Sequence, residues 1–154
     1  MLAAARSTRF IDDYLSYLLA RASQAVHKEF ERSVNAAGLS SLEWRVLATL
    51  SDGAGMTIGE LAREVLAKQP TLTKQVQRMA EAGWVACRSD RGDARRTMVF
   101  ATARGRRTIA RLMKAAKVHE RDLLSHFSGE EVETLKVILR KIIDRSGSTP
   151  TAGE

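Results

Sequence analysis

Six apolar side chains near the start of the chain recur at every fourth position: Phe10, Tyr14, Leu18, Ala22, Val26 and Phe30. This spacing places them along one face of an α-helix, and it predicts a first helix from about Ser7 to Asn35. A helix of that length is too long for a small domain to cover by itself. We therefore expect part of its apolar stripe to contact a partner chain.

Three later segments begin with a hydroxyl residue that is followed three positions on by glutamate: Ser40 and Glu43, Thr57 and Glu60, and Ser128 and Glu131. In such a capping box the hydroxyl accepts a hydrogen bond from one free backbone N–H at the helix start, and the carboxylate accepts from another. Apolar residues at helical spacing follow each pair. The pattern predicts a second helix that ends near Asp52, a third that ends before Lys68, and a sixth near the end of the chain.

A fourth helix is predicted from Gln69 to Ala82. Pro70 suits its first turn, because proline lacks an N–H that would be unpaired there in any case, and Gly83 suits its end. The apolar residues of this helix share one face, which we expect to pack inward: Leu72, Val76 and Met79.

A β-hairpin is predicted directly after the fourth helix. Its strands run from Trp84 to Arg88 and from Thr97 to Ala101, and Gly92 lies in the turn between them. Thr102 then caps a fifth helix that continues to about Ser125. Six helices and one hairpin cover most of the chain, so the predicted fold class is mainly α with a small β-hairpin.

The 154 residues are enough for one domain with a buried core. The single cysteine, Cys87, excludes an internal disulfide, and we expect it to be a small buried or half-buried side chain on the hairpin. Asp12 and Asp13 interrupt the apolar run of a signal peptide, and no stretch reaches the roughly 18 apolar residues of a membrane span. We expect a cytoplasmic protein without membrane contact, whose residues 147–154 form a disordered tail.

Positive charge is concentrated in the middle of the chain. Residues 63–117 contain 14 Lys and Arg against 4 Asp and Glu, whereas the remaining residues contain 11 against 14, and the formal net charge of the whole is +7. This asymmetry favours a polyanionic partner for the middle and a different role for the flanking segments. A basic surface that is simply solvated is the alternative at this point.

The basic middle contains the fourth helix and the hairpin, and the polar residues of that helix are suited to duplex DNA. Short hydroxyls can approach phosphates, whereas Gln and Arg can bond bidentately to adenine and guanine in the major groove. The preceding helix would brace this one across the DNA backbone, as in a helix-turn-helix. The candidate groove-contacting residues are Thr71, Thr73, Lys74, Gln77 and Arg78.

The hairpin carries four arginines on or beside its loop: Arg88, Arg91, Arg95 and Arg96. Arginine suits the narrow, strongly negative minor groove of DNA. Asp90 and Asp93 have no reason to face phosphate, so we expect them to clamp nearby guanidinium groups and hold the loop in shape. The alternative is a solvated loop with incidental ion pairs, each worth about 0–1 kcal/mol.

These features resemble the MarR family of winged-helix transcription regulators, and the resemblance covers residues 14–143. Asp93 and Arg95 match the family's Asp-x-Arg wing. The strand exit matches its Leu-Thr-x-x-Gly pattern, except that Ala101 replaces the usual Leu. The matching segments are 39–47, 57–62, 76–85, 93–96 and 101–105, together with Arg88.

The resemblance implies an obligate homodimer that binds a palindromic DNA site. Residues 1–154 would form a single MarR-like domain, in which 7–36 and 103–146 are dimerisation helices and 37–102 is the winged helix-turn-helix lobe. It also implies that Arg95 enters the minor groove and that Asp93 orients it. Two lobes related by a two-fold axis would contact half-sites roughly 34–36 Å apart.

Regulators of this family commonly bind a small anionic or aromatic effector between the dimerisation helices and the DNA-binding lobe, and this lowers their affinity for DNA. The resemblance therefore implies a ligand-responsive regulator, with repression as the expected mode. Aromatic rings could stack on such a ligand, and Arg or His could bind its carboxylate, although Tyr14 and Trp44 also suit a core. The candidate ligand-binding residues are Tyr14, Tyr17, Arg21, His27, Trp44 and Arg45.

Two other function classes fit the sequence less well. A winged-helix interaction module that binds protein or RNA, without an effector, would show no preference for a palindrome in duplex DNA. An enzyme is not expected, because the chain has no Ser/His/Asp set, no phosphate-binding Gly-rich loop and no paired-carboxylate pattern. No cofactor or metal is expected either, since His27, His119 and His126 are far apart and lie in no cluster with ligand spacing.

Overall fold

A computed structural model of the chain describes residues 9–90, 92–93 and 95–147, except the side chains of residues 146 and 147. Helices dominate these residues and the sheet is small, as the predicted fold class requires. The strands are β1 (Met56–Thr57), β2 (Val85–Ser89) and β3 (Thr97–Ala101). The helices are α1 (Phe10–Asp13), α2 (Leu15–Ala36), α3 (Ser41–Thr49), α4 (Ile58–Glu64), α5 (Gln69–Glu81), α6 (Ala103–Leu124) and α7 (Gly129–Gly147).

The predicted first helix is interrupted at Tyr14. The backbone of this residue is extended, with φ −78° and ψ 116°, so that α1 ends before it and α2 begins after it. The Tyr14 carbonyl accepts from the N–H of Leu18 and thereby starts α2. A continuous helix over residues 7–35 was therefore wrong, because Asp12 and Asp13 have low propensity for a helix interior. Residues 7 and 8 lie outside the described part of the chain.

The three predicted capping boxes are formed, at the starts of α3, α4 and α7. In the first, Ser40 Oγ accepts from the Glu43 N–H at 3.3 Å, and the Glu43 carboxylate accepts from the Ser40 N–H at 2.7 Å. The other two boxes have the same reciprocal bonds: Thr57 with Glu60, and Ser128 with Glu131. These helix starts were predictable because they depend on residues only three positions apart.

Acid should remove the stabilisation that two of these boxes provide. Bonds from the hydroxyl and backbone of Thr57 lower the pKa of Glu60 below its ordinary 4.5, and bonds from the backbone and hydroxyl of Ser128 lower the pKa of Glu131 likewise. The stabilisation is complete above the ordinary value and is lost as the pH falls through the lowered one. Between about pH 5 and pH 3, the melting temperature of the Glu60→Gln/Glu131→Gln variant should therefore fall less than that of the wild type. Parallel melting curves in circular dichroism would contradict this expectation.

The hairpin belongs to a three-stranded antiparallel sheet of order β1-β3-β2. Strand β2 pairs with β3 in the register that sets Val85 opposite Ala101, one residue later than the predicted start of the strand. Strand β1 pairs with the other edge of β3 and sets Met56 opposite Val99. This edge strand was not predicted, because two residues are too few to show a period of two in sequence.

Cys87 is exposed on β2, which corrects the prediction of a buried or half-buried side chain. Only Val85 is buried in this strand, since β2 continues past the core towards the loop. Neighbouring atoms still withdraw enough water to raise the pKa of the Cys87 thiol. A raised pKa disfavours the reactive thiolate at neutral pH.

Packing contacts join α5, the hairpin and α6. Gly105 of α6 lies against the Trp84 carbonyl, where any Cβ would clash. The Thr102 hydroxyl donates to the Gly83 carbonyl at 2.7 Å and accepts from the Gly105 N–H at 3.1 Å, which fixes the predicted start of α6. The buried residues of α5 are those whose spacing predicted an inward face: Leu72, Val76 and Met79.

The chain divides into two compact units, residues 1–116 and 117–154. Both units expose large apolar side chains, which commonly mark contacts with other molecules. In α1, α2 and the break between them, these are Phe10, Ile11, Tyr14, Leu15, Leu18 and Val26. In the second unit they are Val118, Phe127, Leu135, Val137, Ile138 and Ile143. No helix in the described ranges is long and apolar enough to cross a membrane.

Candidate nucleic-acid interface and adjacent pocket

Helix α5 presents a polar face to solvent, away from its buried face. Thr73 is only half-exposed, and its hydroxyl donates to the Gln69 carbonyl at 2.9 Å, so its proton is used within the helix. The other four groove-contacting candidates are exposed: Thr71, Lys74, Gln77 and Arg78. Helix α5 therefore carries a row of long and short polar side chains that can contact a partner.

A tight turn joins α4 to α5, as in a helix-turn-helix. The Ala67 N–H donates to the Ala62 carbonyl at 2.9 Å, and Leu66 between them adopts a left-handed backbone with φ 55°. This conformation is strained for leucine, and the side chain is 83% exposed. Lys68 is extended and forms the N-cap of α5, with Pro70 in the first turn. The turn therefore fixes the direction in which α5 leaves α4.

The loop between β2 and β3 is held by its own aspartates. Asp90 Oδ1 accepts from the Gly92 N–H and Asp93 Oδ1 accepts from the Arg95 N–H, both at 3.0 Å. In the described contacts these carboxylates bind backbone N–H groups, and a clamp on Arg91 stays a prediction because that residue lies outside the described part of the chain. An aspartate two positions before an N–H closes a local turn readily, without ordering a long arginine side chain. Asp93 thus fixes the backbone of Arg95.

The arginines of the hairpin have different surroundings. Arg95 is exposed on the loop whose backbone Asp93 fixes. Arg96 forms an ion pair of 3.5 Å with Glu60 of α4. The Arg88 guanidinium lies 5.5 Å from the centre of the Phe100 ring. Arg91 lies outside the described residues. Of the described hairpin arginines, Arg95 is therefore the one whose anchor is its backbone and whose guanidinium is left for a partner.

A shallow cavity lies between the start of α5 and the base of the hairpin of β2 and β3, which is called the wing from here on. Its lining includes Thr73 from the helix and Arg95 from the wing, so the two candidate DNA-contacting elements adjoin each other. Glu60 beside it forms an ion pair with Arg96, and the bonds from Thr57 lower the pKa of its carboxyl group. The helix and the wing therefore form one polar, cationic surface.

A second cavity, of about 650 Å³, is lined by α2, α3 and the turn between α4 and α5. This volume lies within the range of small-molecule sites, roughly 300–1,000 Å³. Two predicted ligand-binding residues do not line this cavity. The Tyr14 ring stacks on Phe10 with 5.1 Å between ring centres, and the Trp44 ring packs on Phe30 with 5.3 Å between ring centres. The other four line the cavity: Tyr17, Arg21, His27 and Arg45.

The cavity has the polar groups that would bind an anion. Arg45 Nε is buried without a hydrogen-bond partner in the described part of the chain, which is an unusual state for a guanidinium N–H. Arg21 donates to the Tyr17 hydroxyl at 3.3 Å, and His27 Nε2 lies 2.8 Å from Ser41 Oγ. A carboxylate in the cavity could pair with the guanidinium groups of Arg21 and Arg45, which line it, and an aromatic ring could pack on Tyr17.

Sequence reasoning did not find two residues that support the interface. Gln75 on α5 donates to Glu43 Oε1 on α3 at 2.7 Å, across 32 positions in sequence. Glu60 was predicted only as a helix cap, and its bond to Arg96 spans 36 positions. Neither pairing has a local sequence pattern, since it depends on how the helices pack. The described residues contain no group of three or more His, Cys, Asp or Glu placed to hold a metal ion.

Comparison with known proteins agrees with this geometry. A family profile described as MarR family matches residues 37–96. Transcriptional activatory protein BadR of Rhodopseudomonas palustris is 32% identical over 134 residues, which cover 84% of this chain and 77% of BadR. The crystal structure of a MarR family transcriptional regulator from Silicibacter pomeroyi has a TM-score of 0.79 and 36% identity over 89% of this chain and 98% of that chain. Transcriptional repressor CouR bound to a 23-mer DNA duplex has a TM-score of 0.76 and 25% identity, covering 86% and 94%.

The helix-turn-helix of α4 and α5, followed by the hairpin, defines a winged-helix DNA-binding protein. The relationship to BadR and to the S. pomeroyi regulator extends over most of both chains and specifies the class further. The chain belongs to the MarR family of transcriptional regulators. The family resemblance seen in the sequence is thereby confirmed.

Proposed function

We propose that this protein is a dimeric transcriptional repressor that binds a palindromic operator in duplex DNA and is released from it by a small anionic or aromatic effector. The observation that carries the proposal is that α5 exposes a polar face beside the β2–β3 loop. This loop exposes Arg95 and is held by hydrogen bonds from its backbone to Asp90 and Asp93. Such a regulator acts in the cytoplasm, where its operator is. Its function depends on binding, with no catalytic step.

Each proposed DNA-contacting residue has a defined part. On α5, the groove-contacting side chains are Thr71, Thr73, Lys74, Gln77 and Arg78. On the hairpin, the arginines are Arg88, Arg91, Arg95 and Arg96, with Asp93 as the support of Arg95. Gln and Arg on the helix suit base edges in the major groove, and Arg95 suits the narrow minor groove beside it.

The exposed apolar side chains support a homodimer. Phe10, Leu15 and Leu18 in the N-terminal helices are in water in the single chain, as are Ile138 and Ile143 in α7. A second copy would cover them, and an obligate interface of this kind buries over about 2,000 Å². Two α5 helices related by a two-fold axis would contact half-sites roughly 34–36 Å apart.

The cavity beside α2 supports the effector. Arg45 and Arg21 line it and bring two guanidinium groups to its wall. The residue Leu66, in the turn between α4 and α5, lines the same cavity. An effector there can lower DNA affinity if it binds more tightly to an arrangement of α5 that fits the operator less well.

Names of relatives do not decide the sign of regulation. BadR is named as an activatory protein and CouR as a repressor, at 32% and 25% identity. A dimer on DNA blocks or assists polymerase according to where its operator lies. A reporter fused to the operator in its natural promoter decides between the two, and we expect higher expression when the protein is absent.

The proposal is tested by selecting bound sequences from random duplex DNA. We expect a two-fold symmetric sequence whose half-sites are about one helical turn apart. Enrichment of single-stranded or RNA competitors over duplex DNA would favour a winged-helix interaction module. Recovery of duplexes without any shared sequence would contradict a specific operator.

Replacing Arg45 by methionine should weaken the response to an aromatic carboxylate. The variant keeps an unbranched apolar stem but loses the guanidinium, whose hydrogen bond to a charged group is worth about 1.5–3 kcal/mol. We expect the concentration that releases half of the bound DNA to rise roughly tenfold or more. A panel of aromatic acids and thioesters, titrated against a fluorescent operator duplex, gives this value, with exposed Arg32→Met of α2 as the control. Equal release curves for wild type and Arg45→Met would remove Arg45 from the effector site.

A further inference from the structure

The first turn of α3 is bonded to α5 through one carboxylate. Glu43 Oε2 accepts from the Ser40 N–H at 2.7 Å and so caps its own helix. The other oxygen, Oε1, accepts from Gln75 Nε2 at 2.7 Å. A hydrogen bond to a carboxylate is stronger than one between neutral groups, and a distance of 2.7 Å is short for it. One side chain therefore closes a helix and binds the neighbouring one.

The first turn of α3 also contacts a residue that lines the cavity beside α2, which is called the effector cavity from here on. Ser41 is the first residue of α3, and its hydroxyl oxygen lies 2.8 Å from His27 Nε2. His27 belongs to α2 and lines the cavity together with Arg21 and Arg45. The first turn of α3 is thus connected on one side to the cavity and on the other side to α5.

We propose that Glu43, Gln75 and Ser41 are positioning residues that connect the effector cavity to the DNA-contacting helix through the first turn of α3. This deepens the proposed function, on which it rests, by naming the contacts through which the cavity influences α5. Gln75 holds α5 against α3, and Ser41 holds the start of α3 against His27. None of the three needs to touch DNA or effector.

The position of Gln75 explains why its bond matters for DNA. Gln75 is half-buried and lies beside Thr71, Lys74 and Arg78 in a shallow cavity on α5. A hydrogen bond at this place limits the rotation of α5 about its own axis. Base edges are recognised by bidentate bonds that tolerate little displacement, so a helix that rotates loses sequence preference before it loses phosphate contacts.

The position of His27 explains how an effector acts on this connection. In the tautomer in which His27 Nε2 carries the proton and donates it to Ser41 Oγ, a ligand carboxylate competes with Ser41 for the same N–H. Loss of that bond frees the start of α3. Because Glu43 lies in this turn, the hydrogen bond that Gln75 donates to it then holds α5 less firmly. The effect requires only that the ligand bind the released arrangement more tightly than the bonded one.

The test is a set of double-mutant cycles, measured as the ratio of affinity for the selected operator to affinity for a shuffled duplex. We expect Gln75→Met and Glu43→Ala each to lower this ratio about tenfold, and the double variant to lower it no further. Ser41→Ala should lower it about threefold, with no added loss in the Gln75→Met background. If the loss in either double variant equals the product of the losses in its two single variants, the two residues act independently and the proposed connection is disproved.

Two further variants separate positioning from stability. Ser40→Ala removes the hydroxyl of the same capping box but leaves the carboxylate bonds of Glu43, so it should lower the melting temperature and leave the operator ratio unchanged. Glu43→Gln should restore the ratio, because glutamine is accepted in a capping box and its amide can donate to a flipped Gln75 amide. A loss of ratio in Ser40→Ala equal to that in Glu43→Ala would show that only helix stability matters.

The outcome also separates this inference from the proposed function. A wild-type protein that binds the operator no better than the shuffled duplex contradicts the proposed function itself. A wild-type protein with a strong preference, combined with multiplying losses in the variants, contradicts only the connection through α3.

Discussion

Removal of residues 132–154 is expected to give a protein that forms no stable dimer and loses specific binding to operator DNA. Helix α7 exposes four large apolar side chains in the single chain: Leu135, Val137, Ile138 and Ile143. Full burial of such a side chain stabilises an interface by about 1.5–3 kcal/mol, so their loss removes much of the driving force for association. Binding through one lobe also loses the gain from linked half-sites, and we expect operator affinity to fall at least about 100-fold.

Sedimentation velocity and an operator titration measure the two effects together. A protein that ends at Gly147, and so lacks only residues 148–154, is the matched control and should remain a dimer with full affinity. If the protein without residues 132–154 sediments as an intact dimer, α7 is not the dimer contact, and the exposed residues of α1 and α2 would have to provide it alone.

Arg95→Ala should weaken operator binding by about 1–3 kcal/mol, which corresponds to roughly five- to 150-fold. The Asx turn of Asp93 holds the backbone of Arg95, and its exposed guanidinium is left to enter the minor groove. The loss should be larger for operators with A·T base pairs at the wing position, because a narrow minor groove concentrates negative potential. Fluorescence anisotropy with a labelled operator at physiological salt gives the affinities.

A control for charge alone is available in α6. Arg111 is exposed in that helix, so Arg111→Ala removes one positive charge without changing the wing. We expect it to have a small effect that is the same for the operator and a shuffled duplex. An Arg95→Ala variant with the affinity of the wild type, or with a loss equal to that of Arg111→Ala, would refute the minor-groove role.

The features that the sequence predicts correctly depend on neighbours within one or two helical turns. Glu43 and Glu60 lie three residues after their caps, and both boxes form. Leu72 and Val76 lie on one face of α5, and both are buried. These patterns have a local physical cause, so the helices and the inward face of α5 follow without knowledge of the tertiary structure.

The features that sequence reasoning missed depend on residues far apart or on choices between equal local patterns. Strand β1 exists only because Met56 meets Val99 across the sheet. The bond between Gln75 and Glu43 needs α3 and α5 to be packed together first. Asp93 Oδ1 binds the Arg95 N–H in a local turn, which the sequence did not predict because a nearby guanidinium suits the same carboxylate.

The predicted ligand-binding residues divide for the same reason. Tyr17 and Arg21 lie four positions apart on α2, so helical spacing alone puts them on one side of that helix. Arg45 joins them only because α3 packs beside α2, and its buried donor was not foreseen. Trp44, its neighbour in sequence, packs on Phe30 instead, since adjacent helical residues point in different directions.

The central claim, that a dimer recognises a palindrome in duplex DNA through α5 and the wing, is tested most directly by the salt dependence of binding to the selected operator and to a shuffled duplex. The proposed phosphate contacts predict that log affinity falls steeply with log salt concentration for both duplexes. The base contacts predict that the operator is bound at least about 1,000-fold more tightly at physiological salt. A flat salt dependence, or equal affinity for operator and shuffled duplex, would contradict the account.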